Sequence, residues 1–506
     1  MINSQVICVW VQSPEVSGQV AAEYNFLCHP FFSSYFHNKQ VAMIRYFMIA
    51  AGALLIAGCN NDPKKTKTTE EDMTATSKSV AWAHITNIYE VNVRQYTAEG
   101  TFNAFAKEMP RLKEMGVKTL WFMPITPIAQ NNKKGTMGSP YACSDYTAIN
   151  PEFGNLDDFK SLVKEAHKQG FKVIIDWVAN HTGWDHVWTK QHPDYFLKDT
   201  ATNDFKIASG MDDIIELDYK NPALRKAMIE AMQYWVKETD IDGFRCDLAA
   251  WVEVDFWQEA RPQVDSVKHL FWLGEFDELE NPEYGKVFDA SYSWAWMHKT
   301  KEFYQNRLPL TVLDSLLQQY GNIGDGSMRA WFTTNHDENS WNGTEYEKYG
   351  EMAKALAVFS ATWNGIPLLY SGQELPNMKR LEFFEKDPIE WTGKYELQNF
   401  YKTLLNLHST HPALRAGDPN VITYRLKTAS DLSAGADENI MAYLRKNGDK
   451  EVLVILNLSN RTPVNFEITD EHVKGIFKNV FEDDTKDFSK EKNMSMQAGQ
   501  YLVYEK

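Results

Sequence analysis

Residues 155–181 read NLDDFKSLVKEAHKQGFKVIIDWVANH, and this stretch contains both kinds of element from which the fold is built. Asn155 is a favourable helix cap, two acidic residues follow in the first turn, and Gly170 closes the predicted helix 156–169. The apolar, β-branched run that follows predicts a strand over 171–177. The stretch therefore predicts one helix–strand unit of an α/β protein.

The same alternation recurs along the chain. Short apolar runs predict eight strands, near 85–93, 118–123, 171–177, 241–246, 270–274, 285–289, 329–334 and 366–370. Helical patterns lie near 101–115, 156–169, 222–238, 254–262, 297–306, 346–361 and 395–409. Eight strands that alternate with helices predict a parallel (β/α)8 barrel. A doubly wound sheet is the alternative, but no glycine-rich phosphate loop follows the first strand.

Two stretches depart from this alternation. Residues 181–219 are long, aromatic and polar, which predicts a short insertion after the third strand. Strand-like runs separated by turn residues predict a C-terminal β-sandwich; they lie near 439–445, 451–457 and 500–504. The predicted domains are a barrel over 81–411, which includes the insertion, and a sandwich over 412–506.

The composition limits the classes of partner and scaffold. The chain has 506 residues, with 52 Lys and Arg against 68 Asp and Glu, so its formal net charge is −16. An acidic protein is a poor partner for nucleic acid, because phosphate binding needs a basic surface. Five cysteines are too few for a disulfide scaffold, and no CxxC or Cys/His cluster predicts a zinc site.

The N-terminal region predicts a targeting signal rather than a folded domain. Residues 43–59 read MIRYFMIAAGALLIAGC, in which one Arg precedes an apolar run too short to cross a membrane. The last four residues resemble a bacterial lipobox, which implies lipidation and cleavage at Cys59. We therefore expect a cell-envelope protein anchored to a membrane, at the outer membrane or the cell surface. An ordinary signal peptide with an incidental Cys is the alternative.

The segments that flank this signal predict no folded structure. Residues 60–80 are polar and lack large apolar side chains, so they predict a flexible tether. Residues 1–42 precede Met43, where a signal peptide would begin, and we interpret them as a gene-model artefact.

Four predicted strands lead into segments rich in reactive side chains. The segments are Asp176-Trp-Val-Ala-Asn180-His181, Gly243-Phe-Arg245-Cys-Asp247, Gly274-Glu275 and Thr334-Asn335-His336-Asp337. A carboxylate at the end of a buried strand is costly unless it is paired or used. Since active sites of (β/α)8 barrels form at the C-terminal ends of the strands, the four segments predict one site there.

These segments resemble the four motifs of glycoside hydrolase family 13, the α-amylase family, and the resemblance covers about residues 82–506. It implies a (β/α)8 barrel with a domain B at 181–219. It also implies that Asp247 is the catalytic nucleophile and Glu275 the general acid/base. Asp337 would be the third carboxylate, which binds the sugar and stabilises the transition state.

The same resemblance implies roles for further residues. Arg245 corresponds to an arginine that keeps the nucleophile ionised, and Tyr141 to a tyrosine that stacks on the sugar. His181 and His336 correspond to histidines that hydrogen-bond that sugar. Supporting residues would be Asp145, Asp176 and Asn180. The chemistry needs no cofactor, and no metal ligand is assigned.

Elementary chemistry agrees with these roles. Glycoside cleavage needs an acid that protonates the leaving oxygen and a carboxylate that attacks the anomeric carbon. Side chains at i and i+2 of a strand point to the same side, so Arg245 can contact Asp247 and lower its pKa. Apolar neighbours at 271–273 can raise the pKa of Glu275 by desolvation. The prediction is retention of configuration, with carboxyl groups about 5–5.5 Å apart.

Two departures from the family pattern affect these predictions. One leaves calcium binding undecided, and the other bears on whether cleavage is endo or exo. Trp251 stands where many α-amylases have a His that helps to bind calcium and substrate. Asn180 alone cannot make the site, because calcium takes six to eight oxygen ligands. Ala142 follows Tyr141 where exo-acting α-glucosidases tend to have Asp, which favours endo-acting α-1,4 cleavage of starch and maltodextrins.

Other functions remain compatible with the sequence. An α-glucan transglycosylase (glucanotransferase) or a neopullulanase-type enzyme would share the glycosyl-enzyme intermediate. A non-catalytic glycan-binding barrel is the alternative from another class, but such relatives have lost catalytic carboxylates that this chain retains. Aromatic side chains in loops are candidates for outer sugar contacts; they are Trp184, Trp188 and Trp341.

Overall fold

The computed structural model describes residues 79–324, 326–430, 439–458 and 464–506. The predicted signal segment with Cys59, the residues before Met43, and the predicted tether up to residue 78 lie outside the described ranges.

Eight parallel strands form a closed barrel in which each strand pairs with its neighbour in the chain and the last pairs with the first. The strands are β1 (Ile88–Val91), β2 (Thr119–Phe122), β3 (Lys172–Val178), β4 (Gly243–Asp247), β5 (Phe271–Asp277), β6 (Ala290–Tyr292), β7 (Met328–Trp331) and β8 (Ile366–Tyr370). The predicted barrel is confirmed. Across β3 and β4, Asp176 pairs in register with Arg245, so these side chains start from neighbouring positions at one end of the barrel.

Helices surround the barrel and connect its strands. They are Val93–Tyr96, Phe102–Phe105, Met109–Met115, Leu156–Gln169, Val187–Gln191, Pro222–Thr239, Val254–Asp265, Trp294–Asn306, Thr311–Gly321, Glu345–Tyr349, Ala353–Thr362 and Gln398–Thr410. Asn155 caps its helix as predicted, through a capping box with Asp158. Gly170 ends that helix in the left-handed conformation, with φ +85°.

The predicted sixth strand is displaced. The run 285–289 precedes β6 rather than forming it, since β6 begins at Ala290. Phe288 is fully buried, and its ring packs at 5.3 Å from Trp257 and 6.4 Å from Trp272. The apolar composition of this run therefore reflects burial against the helix after β4, not strand pairing.

The predicted helix 346–361 is two helices, Glu345–Tyr349 and Ala353–Thr362. Gly350 separates them with φ +50°, and a Cβ there would lie 2.0 Å from the hydroxyl oxygen of Tyr304. The helix Thr311–Gly321 is absent from the sequence prediction.

The insertion after β3 contains a two-stranded antiparallel sheet, His181–Gly183 with Ile214–Glu216. The backbone N–H of Gly183 donates to the carbonyl of Cys143 at 2.8 Å. The insertion is thereby attached to the loop between β2 and the helix Leu156–Gln169.

The C-terminal region forms two antiparallel sheets. The larger sheet contains, in spatial order, Ile422–Arg425, Ile440–Asn447, Lys450–Asn457, Tyr501–Glu505, Ile476–Asn479 and Thr485–Asp487. The smaller contains Thr428–Ser430, Val464–Ile468 and Asn493–Met496. One buried cluster joins Leu444 and Leu453 of the larger sheet to Phe466 and Met496 of the smaller. The sheets therefore share a core, as a β-sandwich does.

Within the described ranges, we find no helix that combines the length and the apolar character needed to cross a bilayer.

Candidate active site

Arg245 lies at the centre of a cluster of carboxylates at the C-terminal end of the barrel. Its Nη1 donates to Asp176 Oδ1 at 3.0 Å and to Asp247 Oδ1 at 2.9 Å. Its Nη2 lies 2.9 Å from Glu275 Oε2, and its Nε donates to the Tyr292 hydroxyl at 3.2 Å. The guanidinium is fully buried. One cation therefore holds carboxylates from β3, β4 and β5 in fixed positions.

Asp247 and Glu275 lie side by side on this guanidinium, each against a different nitrogen. Glu275 Oε2 also accepts the backbone N–H of Leu248 at 2.9 Å, and Leu248 has the rare φ of +42° that turns the chain after β4. Burial raises the pKa of both carboxyls, while Arg245 opposes the rise. The pKa of each carboxyl is therefore set by burial acting against the charge of Arg245.

A second cluster surrounds the His336 ring. Its Nδ1 is bonded to the Glu90 carboxylate on β1, and its Nε2 lies 2.7 Å from the Tyr141 hydroxyl. Asp337 Oδ2 lies 3.4 Å from the same Nε2. The Tyr141 and His336 rings stack with their centres 5.2 Å apart, and the Tyr141 hydroxyl donates to Asp176 Oδ2 at 3.1 Å. Tyr141 thereby connects the histidine cluster to the carboxylates around Arg245.

The two clusters open into one cavity of about 350 Å³. Its lining residues are Lys134, Ser139, Tyr141, His181, Met211, Asp213, Ile214, Asp247, Leu248, Glu275, Asp337, Trp341, Phe383 and Phe384. The three predicted catalytic carboxylates are all in this lining. A larger cleft of about 830 Å³ lies at the opposite end of the barrel, and none of the predicted site residues lines it.

His181 lines the cavity and has one ring nitrogen, Nε2, that can bind a ligand. Its Nε2 is buried and has no hydrogen-bond partner among the described residues, while its Nδ1 lies 3.3 Å from the Asn180 amide nitrogen. Burial lowers the pKa of His181 to about 4. A neutral ring that the Asn180 amide orients is therefore available to a ligand hydroxyl.

Some predicted residues lie elsewhere. Asp145 accepts hydrogen bonds from the backbone and hydroxyl of Thr147, both at 2.9 Å, which stabilises a local turn. Trp188 packs on Tyr146 at 5.0 Å, and the Trp184 N–H donates to the Asp212 carbonyl at 2.8 Å. Of the three predicted aromatic candidates, Trp341 lines the cavity, with 53% of its surface exposed.

Glu90, Tyr292 and Phe383 also belong to the site, although they are not among the residues that the sequence predicts. Glu90 carried a detectable signal, since it is a charged residue within the apolar strand Ile88–Val91. Phe383 stacks on Tyr141 with ring centres 6.3 Å apart, but its loop lies far from the four motifs in the sequence. Tyr292 could be recognised only once β6 was placed next to β5.

Asn180, the one residue that the sequence connects with a calcium position, is buried, and its amide nitrogen lies 3.3 Å from the His181 Nδ1. In the part of the chain that the structure describes, no group of three or more His, Cys, Asp or Glu side chains is arranged to hold a metal ion.

Comparison with known proteins identifies the family of the chain. The family model of the alpha-amylase catalytic domain matches residues 63–212 and 194–416. This chain belongs to the alpha-amylase family of glycoside hydrolases.

Individual relatives are moderately similar. Alpha-amylase 2 of Dictyoglomus thermophilum is 24% identical over 74% of this chain and 67% of its own length. Neopullulanase 2 of Thermoactinomyces vulgaris is 28% identical over 71% of this chain and 62% of its own length. The chain thus spans about two thirds of the length of such relatives.

Two solved structures resemble the chain over nearly their whole length. A maltogenic alpha-amylase from Thermotoga neapolitana has 29% identity and a TM-score of 0.72, and covers 84% of this chain and 97% of its own. An alpha-amylase from Lactobacillus plantarum has 28% identity and a TM-score of 0.73, and covers 84% of this chain and 99% of its own.

Proposed function

We propose that the protein is a retaining endo-acting hydrolase of α-1,4-glucans, with Asp247 as nucleophile and Glu275 as general acid/base. The observation that carries this proposal is the arrangement of Asp247 and Glu275 on the two terminal nitrogens of Arg245, both facing a cavity that Asp337 also lines. A pair of carboxyls beside one another at the reacting bond is what double displacement requires.

In the first step, Asp247 attacks the anomeric carbon while Glu275 protonates the glycosidic oxygen. The bond between the anomeric carbon and that oxygen breaks, and the leaving sugar departs as an alcohol. In the second step, Glu275, now ionised, takes a proton from water, whose oxygen displaces Asp247 from the anomeric carbon. Two inversions restore the original configuration.

The neighbouring residues stabilise these steps. Asp337 is 38% exposed in its side chain and can accept hydrogen bonds from sugar hydroxyls. Tyr141 presents its ring beside His336. His181 Nε2, which has no partner among the described residues, can bind a sugar hydroxyl. Positive charge that develops on the sugar ring lies among several carboxylates, which favours the transition state over the ground state. No cofactor is needed for this chemistry.

The aromatic side of the cavity supports an α-glucan as substrate. Trp341, Phe383 and Phe384 form a patch whose neighbouring ring centres lie 5.1–5.6 Å apart. Sugar faces pack well on such rings. A neopullulanase-type specificity is also compatible with the chain, because its relatives include proteins named cyclomaltodextrinase and neopullulanase. A product profile on amylose, pullulan and maltose separates these specificities and also reveals transglycosylation, as products longer than the substrate.

Variants of the two carboxyls test the assignment. Asp247→Ala should abolish turnover of both starch and α-glucosyl fluoride, because no glycosyl-enzyme can form. Glu275→Gln should lose starch hydrolysis but still react with the fluoride, whose leaving group needs no proton. Added azide should then accelerate turnover and give an α-glycosyl azide.

A matched control is Asp255→Asn. Asp255 lies on the helix Val254–Asp265, its side chain is 64% exposed, and it pairs with Arg225 of the helix Pro222–Thr239. This variant should retain wild-type turnover. Starch activity in Asp247→Ala comparable to that of the wild type would contradict the proposal.

We also propose that the protein is a lipoprotein of the cell envelope, anchored through Cys59 at the outer membrane or the cell surface. The support is the signal-like sequence 43–59 with its lipobox-like ending. Cys59→Ala should abolish labelling by radioactive palmitate and move the protein to the soluble fraction. A mutant that stays in the membrane fraction with unchanged mobility would contradict lipidation.

A further inference from the structure

Glu90 is a buried carboxylate directly beneath the cavity that the proposed mechanism does not use. It lies in the middle of β1, is fully buried, and bonds through Oε1 to Nδ1 of His336. Its Oε2 has no hydrogen-bond partner among the described residues. A buried carboxylate with one partner is costly, so its position calls for a physical explanation.

Hydrogen-bond donors and acceptors fix the protons around His336. The Tyr141 hydroxyl has one proton and lies 3.1 Å from Asp176 Oδ2 and 2.7 Å from His336 Nε2. If that proton pointed at Nε2, the tyrosine oxygen and the Asp176 carboxylate would face each other without a proton between them. Burial raises the pKa of Asp176 to about 7, but its Oδ2 also accepts from Trp121 Nε1 and from Arg245 Nη1, both at 3.2 Å. These donors identify Oδ2 as an acceptor, so Tyr141 donates to it and His336 Nε2 donates to Tyr141.

The other ring nitrogen is also a donor. Nδ1 faces the Glu90 carboxylate, which only accepts when ionised. Both nitrogens of His336 then carry hydrogen, which is the imidazolium form. Burial raises the pKa of Glu90 and His336 lowers it, so the charge of the carboxylate and that of the ring support each other.

Charged groups reach His336 from several elements. Glu90 lies on β1, Asp337 follows His336 in the chain, and Arg245 on β4 lies beyond Tyr141. Although burial and Arg245 lower the pKa of His336, Asp337 and Glu90 raise it to about 9. The charges around the ring therefore agree with the donor and acceptor arrangement.

We propose that Glu90 is a positioning residue that holds His336 as an imidazolium, with its Nε2–H directed at Tyr141 and Asp337. Burial raises the pKa of Asp337, and the cation opposes that rise. The cation also fixes the Tyr141 ring against which the sugar would pack. The catalytic part of this inference rests on the proposed function, but the protonation of His336 does not.

Nuclear magnetic resonance of protein labelled with ¹³C at histidine Cε1 tests the protonation without any substrate. The His336 signal, among those of thirteen histidines, is identified by its loss in His336→Gln. In the wild type it should lie at the imidazolium position at pH 7 and titrate with a midpoint near pH 9, as its raised pKa requires. In Glu90→Gln its midpoint should fall by at least about one pH unit, since an opposite charge has been removed.

Two further variants separate charge from packing. Glu90→Asp keeps the charge on a shorter side chain, so its midpoint should lie between those of the wild type and Glu90→Gln. Glu345→Gln removes another buried carboxylate, which accepts from Thr333 at 2.7 Å and Gln373 at 2.8 Å rather than from His336. That control should leave the His336 midpoint unchanged, although it also loses a buried charge.

Kinetics supply the functional readout. At pH 7.5, Glu90→Gln should lower kcat/KM on maltotriose by about tenfold or more, and Glu90→Asp should recover part of the loss. In a His336→Gln background the Glu90 substitution should have little further effect. A neutral His336 in the wild type at pH 7, or an equal midpoint in Glu90→Gln, overturns the inference. Absence of α-glucan hydrolysis by the wild type would refute the proposed function alone.

Discussion

At the scale of single residues, the charge of Arg245 organises the site. Its guanidinium stays protonated throughout the accessible pH range, so its attraction for Asp176, Asp247 and Glu275 does not titrate away. Removing one partner from a buried ion cluster costs more than the cluster contributes, because the remaining charges are left buried without compensation.

We predict that Arg245→Gln lowers the free energy of unfolding by about 3–5 kcal/mol, as expected when a buried ion pair is broken. Activity on starch should fall by at least about 100-fold, because both carboxyls lose their fixed partner. Urea denaturation and initial rates measure the two effects.

The matched control is Arg225→Gln. Arg225 also contacts two carboxylates, Asp255 at 2.9 Å and Glu259 at 2.7 Å, but these are 64% and 43% exposed. Such surface pairs contribute about 0–1 kcal/mol. Equal losses of stability in the two arginine variants would show that the burial of Arg245 is irrelevant.

The pH dependence should differ between substrates. Burial raises the pKa of Glu275, so this carboxyl stays protonated at higher pH than an exposed Glu and loses its proton as the pH rises through that value. The kcat/KM on starch should fall there, whereas reaction of α-glucosyl fluoride should not. On the acid side, both substrates should lose rate as the pH falls through the raised pKa of Asp247.

Parallel pH–rate profiles for the two substrates provide the measurement. If the rates on both substrates fell at the same alkaline pH, a group other than the general acid would control starch cleavage.

At the scale of elements, the site depends on how the insertion after β3 is attached to the barrel. Gly183 ends the short strand that begins at His181, and a Cβ added to it would lie 2.0 Å from the Ala129 Cβ and 3.1 Å from the Ala142 carbonyl oxygen. The close backbone approach therefore sets the position of His181 relative to the loop that carries Tyr141.

We predict that Gly183→Ala lowers the free energy of unfolding by about 1–3 kcal/mol, the usual cost of overpacking a core. KM for maltotriose should rise as His181 and Tyr141 move apart. The control is Gly321→Ala, where a Cβ would meet no atom within 4 Å. That control should be neutral or slightly stabilising, and a Gly183→Ala protein as stable and active as the wild type would contradict the prediction.

At the scale of the whole molecule, the sandwich packs against a barrel helix. The Tyr443 hydroxyl is bonded to Thr362, and its ring centre lies 4.8 Å from that of Trp363. Tyr443 is fully buried, and the helix Ala353–Thr362 leads directly into β8. Contacts of this kind join the stability of the sandwich to that of the barrel.

We predict that Tyr443→Ala costs about 3–5 kcal/mol, as for other buried aromatic truncations. The temperature at which starch hydrolysis is inactivated should fall together with the temperature at which the sheets unfold. Circular dichroism measures the unfolding. The control is Tyr424→Ala, since Tyr424 is half-buried and stacks on His472 within the sandwich, at 4.1 Å. An unchanged inactivation temperature in Tyr443→Ala would show that the barrel does not depend on the sandwich.

Local chemistry in the sequence determined much of the fold and part of the site. Asn155 and Gly170 delimit a helix because a side-chain cap and a left-handed glycine act within a few residues. Arg245 and Asp247 meet because alternate side chains of one strand share a side. The eightfold alternation of strands and helices predicted the barrel, and the barrel then placed the reactive strand ends together.

Tertiary structure decided the contacts between residues that are distant in the chain. Glu90 and His336 are 246 positions apart and meet because β8 pairs with β1 and β7 lies beside it. Tyr292 reaches Arg245 from β6, a strand whose position the apolar run 285–289 obscured. Periodicity reports whether a side chain is buried, whereas barrel closure and strand register determine which buried side chains touch.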